Sequence, residues 1–222
     1  MEKRIFKDKV YSILAKMIKA MANPHRLEII DLLGQGEKSV EEIASETNTT
    51  IANASQHLQV LKGENLVEIR REKNFIHYRL AHEEIYKSWK NLRELGMERA
   101  AEIQKAVNDF RIEKKFPEPI NLDELLKRMH SRYIVLLDVR PGQEYNNGHI
   151  PKAINIPLNE LSSRLKKLPK NKEYIAYCRG PFCVFADEAV SMLSKKGFKA
   201  RRLAEGFPDW KAKGLQVELV HD

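Results

Sequence analysis

The chain has 222 residues, 42% apolar and 32% charged, and its 39 Lys+Arg against 31 Asp+Glu give a formal net charge of +8. That balance is expected of a soluble globular protein with room for two modest domains, and it excludes extended disorder. No window approaches the roughly 18 consecutive apolar residues of a spanning helix, so no membrane partner is expected.

Met1 to Lys9 is charged, with no apolar stretch behind it of the kind a secretory signal needs, and there are only two cysteines. A reducing cytoplasm is therefore the expected compartment, where a thiol more often means chemistry than a structural disulfide. Residues 1–115 hold 21 Lys+Arg and 18 Asp+Glu, and residues 116–222 hold 18 and 13, so the halves carry +3 and +5. Neither is a basic tail, and binding of nucleic acid would rest on local placement of charge.

Phe6, Val10, Ile13, Leu14, Met17, Ile18 and Met21 recur at helical spacing and predict a first helix. Asn23-Pro24 breaks and restarts the chain, with Pro24 suited to a first helical turn. Leu27, Ile29, Ile30, Leu32 and Leu33 form a second helix, closed by Gly34 and Gly36. Ser39-Val40-Glu41-Glu42 has the capping-box form and opens a short third helix through Ala44. After the polar turn Thr47-Asn48-Thr49, a fourth helix runs from near Thr50 to about Lys62. Leu66–Arg71 and Phe75–Leu80 are β-type runs around Glu72-Lys73-Asn74, a hairpin, and a long helix is expected from about His82 to Phe110.

Helix, turn, helix and hairpin is the order of a winged helix-turn-helix. The fourth helix starts without a charge: Thr50, Asn53, Ser55, Gln56 and His57 crowd its first turns. Short uncharged donors and acceptors suit base edges in the major groove. Ala52 and Ala54 would keep that helix slim, while Leu58, Val60 and Leu61 are expected to face the core. A polar amphipathic helix alone would look much the same; the wing beside it favours DNA. Lys62, Arg70, Arg71, Lys73 and Arg79 supply the cations that would hold phosphates.

Charge and two prolines in Arg111-Ile112-Glu113-Lys114-Lys115-Phe116-Pro117-Glu118-Pro119 mark a domain junction. The expected organisation is a DNA-binding and dimerisation domain over 1–112, a linker over 113–119 and an α/β domain over 120–222. In the last, Tyr133–Asp138, Tyr174–Tyr177 and Lys199–Leu203 are strand-like, and Leu158–Leu168 and Val184–Lys195 are helical, predicting a mainly parallel sheet.

Both cysteines fall in one loop, Tyr177-Cys178-Arg179-Gly180-Pro181-Phe182-Cys183, between a strand and a helix. There backbone amides and the positive helix end favour a thiolate, and Arg179 is expected to depress the Cys178 pKa further. A free cysteine is also a small buried hydrophobe, a role open to Cys183.

Residues from about Met17 to Leu80 resemble the ArsR/SmtB-type bacterial repressors. The matching segments are Ala20–Ile30, the recognition-helix run Ala54–Lys62, and Asn65-Leu66-Val67 with Tyr78-Arg79-Leu80. The resemblance implies a homodimer on palindromic double-stranded operator DNA, its first and last helices packing between subunits. Many members sense metals through third-helix cysteines or last-helix Asp, His and Glu. Here Ser39–Glu46 has no cysteine, and His25, His57, His77, His82, His130, His149 and His221 show no ligand-like spacing. Neither a metal nor a cofactor is expected.

The second half resembles a single rhodanese domain. Asp138-Val139-Arg140 with Glu144, Gly148–Ala153 and Asn155-Ile156-Pro157 match the first signature, and Glu205–Trp210 the closing one. The resemblance makes Cys178 a sulfur-accepting nucleophile whose persulfide is held by the amides of 179–183, with Asp138 and Arg140 in support. The six residues Cys178–Cys183 suit a cradle for one sulfur. Phosphatase-type relatives have a loop one residue longer that ends in arginine, where this chain has Val184. Cys183 departs from many rhodaneses, and its spacing alone suggests that it could attack a Cys178 persulfide, releasing sulfide and leaving a disulfide.

Three readings follow. The first is a dimeric repressor whose rhodanese-like domain takes sulfane sulfur from a small donor and so alters DNA affinity. The second is a sulfurtransferase whose DNA-binding half is not coupled to the sulfur chemistry. The third is a repressor whose second half binds an unrelated effector.

Overall fold

The computed structural model describes residues 1–72, 75–114 and 116–220. They form two compact units, Met1–Leu92 and Arg93–Asp222. The wing residue Lys73 lies outside the described residues.

The first unit comprises α1 (Glu2–Met21), α2 (Pro24–Leu33), β1 (Lys38–Ser39), α3 (Val40–Glu46), α4 (Ile51–Gly63), β2 (Val67–Glu72), β3 (Phe75–Leu80) and the start of α5 (Glu83–Arg99). Its helix starts follow local chemistry. The Asn23 side chain accepts from Arg26 N, with Pro24 in the first turn. Ser39 and Glu42 form the complete capping box, and Thr50 Oγ1 accepts from Asn53 N at 3.2 Å. The sheet order is β1-β3-β2, antiparallel throughout, so the wing is a hairpin extended by a short third strand. Ile29, Ile30, Ile43, Ala54, Leu58, Leu61 and Leu66 make the core.

Two expectations for α4 fail. Ala54 is fully buried and so does not slim an outer face, whereas Val60 is 40% exposed. A helix turns about 100° per residue, so Leu58 and Leu61 with Ala54 take the inner stripe and Val60 falls outside it. On α1, Ala20 alone is buried among the described residues; Ile5, Phe6, Tyr11, Ile13, Leu14 and Ile18 are exposed.

The long helix expected from His82 to Phe110 is two helices, α5 and α6 (Ala101–Lys114), interrupted at Ala100. Ile103 N closes on Ala100 O at 3.0 Å, starting a new first turn. Gly96, a poor helix former one turn earlier, weakens the run there.

The second unit continues with α6, α7 (Leu122–Arg128), β4 (Ile134–Asp138), α8 (Gly142–Asn146), β5 (Ile154–Asn155), α9 (Leu158–Arg164), β6 (Glu173–Tyr177), α10 (Phe185–Lys195), β7 (Lys199–Arg202) and α11 (Phe207–Ala212). The four strands run parallel in the order β5-β4-β6-β7. Successive strand residues enter opposite cores. Leu137, Tyr174 and Ala176 meet Leu161, Ala189, Val190 and Leu193 on one face. On the other, Leu136, Ile175 and Tyr177 meet Leu122, Leu125, Phe207 and Trp210. Coverage of both faces is why the central strands β4 and β6 read as largely apolar runs. It also places the turn after β6, at the carboxyl end of a central strand, where open α/β sheets carry their sites.

Candidate functional site

Cys178 follows β6 directly and is 2% exposed, in the core beside Ala186 and Ala189. The loop then turns back so that the Cys178 thiol points to the Cys183 carbonyl oxygen, 3.6 Å from Sγ. Gly180 holds φ of +157°, a backbone conformation that L side chains rarely adopt. The segment between β7 and α11 backs the loop: Phe207 N donates to Cys178 O at 3.1 Å. A Cβ on Gly206 would stand 2.2 Å from the Arg179 carbonyl carbon, so only glycine allows this approach.

The backbone amides of Gly180 and Ala186 favour the Cys178 thiolate, as the strand-to-helix turn predicts. They do not set the balance. Burial, followed by the Cys183 thiol, pushes Cys178 well above the ordinary thiol range. Cys183 is lowered, first by its hydrogen bond from Cys178, with smaller help from the Phe185 and Arg179 amides. The two thiols are coupled, and of the pair Cys183 gives up its proton the more readily.

This corrects the expectation of a depressed Cys178, and the role of Arg179 changes with it. The Arg179 guanidinium lies on Glu144, with Nη2 2.6 Å from Oε1 and Nε 3.1 Å from both oxygens, and over the Phe185 ring at 5.3 Å. Glu144 is 1% exposed, so the pair fixes the loop to α8. The Arg179 charge still acts on Cys183, as the weakest of its causes.

Asp138 and Arg140 are fully buried together. Arg140 Nη2 donates to Asp138 Oδ2 at 2.6 Å and to Gly148 O at 2.8 Å, and its guanidinium sits 4.3 Å over the Phe207 ring. The two brace the loops around the cradle.

Other cradle neighbours were not evident from the sequence. Asp187 of α10 is buried, with Arg202 Nε at 2.9 Å and Arg111 Nε at 3.8 Å. Its carboxyl is raised by burial, against the lowering charges of Arg202 and Arg111. Arg202 is lowered, first by burial, while Asp187 and Cys178 act to hold it charged. Asp209 pairs with Arg93, and its Oδ2 accepts from Gly206 N at 2.9 Å. A charge inside an apolar helix stripe, as at Asp187 among Ala186, Val190 and Leu193, is the signal that could have found that residue.

In the first unit, Thr50, Asn53, Gln56 and Lys62 are exposed along α4, and Ser55 and His57 are half-buried. The His57 ring lies 5.4 Å from that of His25 of α2. The wing cations are not all turned to solvent alone. Arg70 Nε donates to Glu37 Oε2 at 2.8 Å, and Arg79 Nη2 lies 2.7 Å from Glu68 Oε1. Arg71 is exposed. Among the described residues, no helix is long and apolar enough to cross a membrane.

The rhodanese-like domain family matches residues 121–213, and a helix-turn-helix domain family matches 21–70. The chain is 40% identical over 205 residues to the HTH-type transcriptional regulator Rv0324 of Mycobacterium tuberculosis, covering 92% of this chain and 90% of that protein. A sulfurtransferase of Allochromatium vinosum is 27% identical over 85 residues, covering 38% of this chain and 78% of that protein. Among solved structures, the homodimeric winged helix-turn-helix DNA-binding domain of Mb0332 from Mycobacterium bovis is 39% identical. It covers 42% of this chain and 87% of that one, with a TM-score of 0.41. The chain belongs to the HTH-type transcriptional regulators, with an ArsR-like winged helix-turn-helix domain followed by a rhodanese-like domain.

Proposed function

We propose that this regulator is a homodimeric repressor whose DNA affinity is set by sulfane sulfur received on Cys178. The observation that carries the reading is the pair Cys178 and Cys183 in one amide-lined turn, in a chain that also holds a winged helix-turn-helix. Loading needs the Cys178 thiolate. When Cys178 ionises, the amides of Gly180 and Ala186 favour its thiolate, and would then hold the persulfide anion.

The thiolate attacks the terminal sulfur of a polysulfide, forming one S–S bond and breaking another, and the shortened polysulfide leaves with the electron pair. The Cys183 thiol then attacks the Cys178 sulfur. Hydrosulfide leaves, and a Cys178–Cys183 disulfide remains.

For DNA, Asn53, Ser55, Gln56 and His57 would face base edges, with the Thr50 hydroxyl engaged as the α4 cap. Lys62, Arg70, Arg71 and Lys73 would hold phosphates. The exposed apolar residues of α1 form a stripe suited to a second subunit.

The test is fluorescence anisotropy of the full chain on its own promoter DNA, reduced against polysulfide-treated, at fixed salt. A change in affinity that a thiol reductant reverses and Cys178→Ser abolishes is expected. Equal affinity in both states overturns the coupling. If sulfur turnover persists in that case, the chain acts as a sulfurtransferase whose DNA-binding half is independent.

A further inference from the structure

Residues 71–120 lie outside both matched families, yet two arginines from that stretch end on the cradle. Arg111 of α6 donates through Nη2 to the Pro181 carbonyl at 2.7 Å, inside the loop between the two cysteines. Its Nε lies 3.8 Å from Asp187 Oδ2, in the first turn of the helix that supplies the Ala186 amide. Arg93 of α5 makes a buried ion pair with Asp209, whose other oxygen accepts from Gly206 N. Gly180 faces this pair: a Cβ there would stand 3.6 Å from Arg93 Nη1 and 3.7 Å from Asp209 Oδ2.

We propose that Arg111 and Arg93 are positioning residues for sulfur transfer, holding the Cys178–Cys183 loop against the amides that receive the sulfur anion, so that the cradle is complete only with α5 and α6. The inference rests on the reading of Cys178 as sulfur acceptor and adds what holds that site in shape. The physical need is plain. The loop must keep amides aimed at a sulfur whose position changes by one bond length when the persulfide forms. Loops hold such aim only when pinned by neighbours. Arg111 grips the loop at its middle carbonyl, while Arg93 and Asp209 fix the glycine that backs it. A guanidinium suits both tasks, since its planar fork serves two acceptors at once.

The test uses the full chain and sodium tetrasulfide, with Cys178 persulfide followed by quenched peptide mass mapping. The thiolate displaces trisulfide dianion from the tetrasulfide, so atoms and charge balance without another oxidant. Arg111→Gln is expected to load roughly 10–100-fold more slowly, the penalty of a misplaced reacting group. Its melting temperature should fall only modestly, because the buried Asp187 that loses the Arg111 charge keeps Arg202 Nε at 2.9 Å. Arg111→Lys should recover part of the rate, since it can still donate to Pro181 O. Arg99→Gln, an exposed charge loss in α5, should load as the parent does.

Equal loading by Arg111→Gln and the parent overturns the inference and leaves the Cys178 chemistry standing. A rate that falls only in step with a falling melting temperature also overturns it. Failure of the parent itself to load overturns both.

Discussion

Gly206 lies against the backbone of Arg179, so close that a Cβ on Gly206 would stand 2.2 Å from both the carbonyl carbon and the carbonyl oxygen of Arg179. The same atom would be 2.4 Å from Gly180 N, and backbone cannot rotate away as a side chain can. Gly206→Ala must therefore displace the cradle or the β7–α11 segment. Overpacking of this kind costs about 1–3 kcal/mol. The expected outcome is a lowered unfolding midpoint in urea together with loss of Cys178 persulfide on intact-mass analysis. A variant that keeps its midpoint and loads normally would show that the loop is not closed by this contact.

The coupling of the two thiols predicts opposite shifts in two variants. Cys183 is lowered first by the hydrogen bond from Cys178, so Cys178→Ala should move the Cys183 alkylation profile to higher pH. Burial and then Cys183 raise Cys178, so Cys183→Ala should move the Cys178 profile to lower pH, though burial keeps it above an exposed thiol. Iodoacetamide labelling rates across pH, resolved by peptide, check both signs. Cys183→Ala should also accumulate persulfide where the parent goes on to disulfide.

The His57 imidazole is lowered, first by burial and then by the charges of His25 and Arg26. In the unfolded chain it titrates near pH ~6.5. As pH falls through that value the unfolded chain takes up a proton that the folded chain resists, so the unfolded state gains. Stability from this group is fully present above the unfolded pKa and is lost as pH falls towards the folded one. Urea midpoints at neutral and mildly acid pH should therefore separate more for the parent than for His57→Gln. Equal separations would mean that another group governs the acid limb.

The proposed DNA interface divides by chemistry. Gln56→Ala should cost about 1–3 kcal/mol on the cognate site and relax the preference at one base pair. Lys62→Ala should weaken binding to all sequences and reduce the salt slope by about one. Anisotropy titrations over a range of salt on cognate and scrambled duplexes separate the two behaviours. Arg70 carries its Glu37 partner into the comparison, so Glu37→Gln should tighten binding to both duplexes.

The order of elements was legible in the residues because each is encoded over a few positions. The Ser39–Glu42 box, the Asn23-Pro24 start and the antiparallel pairing of Val67–Glu72 with Phe75–Leu80 all formed as their spacing implies. The turn carrying Cys178 was legible for the same reason, since a strand run, a glycine and a helix run are adjacent in the chain. The short helices α7, α8 and α11 and the two-residue β5 were not read as elements, having too few residues to show a period. The break at Ala100 escaped because the apolar stripe continues across it.

What the sequence by itself determined was the order of a winged helical part and an α/β part, and the strand-to-helix loop that carries both cysteines. Partner choice belonged to the tertiary structure. Arg179, beside Cys178 in the chain, turned to Glu144, which the fold brings next to it at low exposure, because a buried carboxylate needs a cation more than a thiol does. Arg111 reached Pro181 across 70 residues, and Arg93 reached Asp209 across 116. Periodicity records which face of a helix is apolar; which distant group meets an arginine on that face is settled only when the elements pack and each buried charge must find its counterpart.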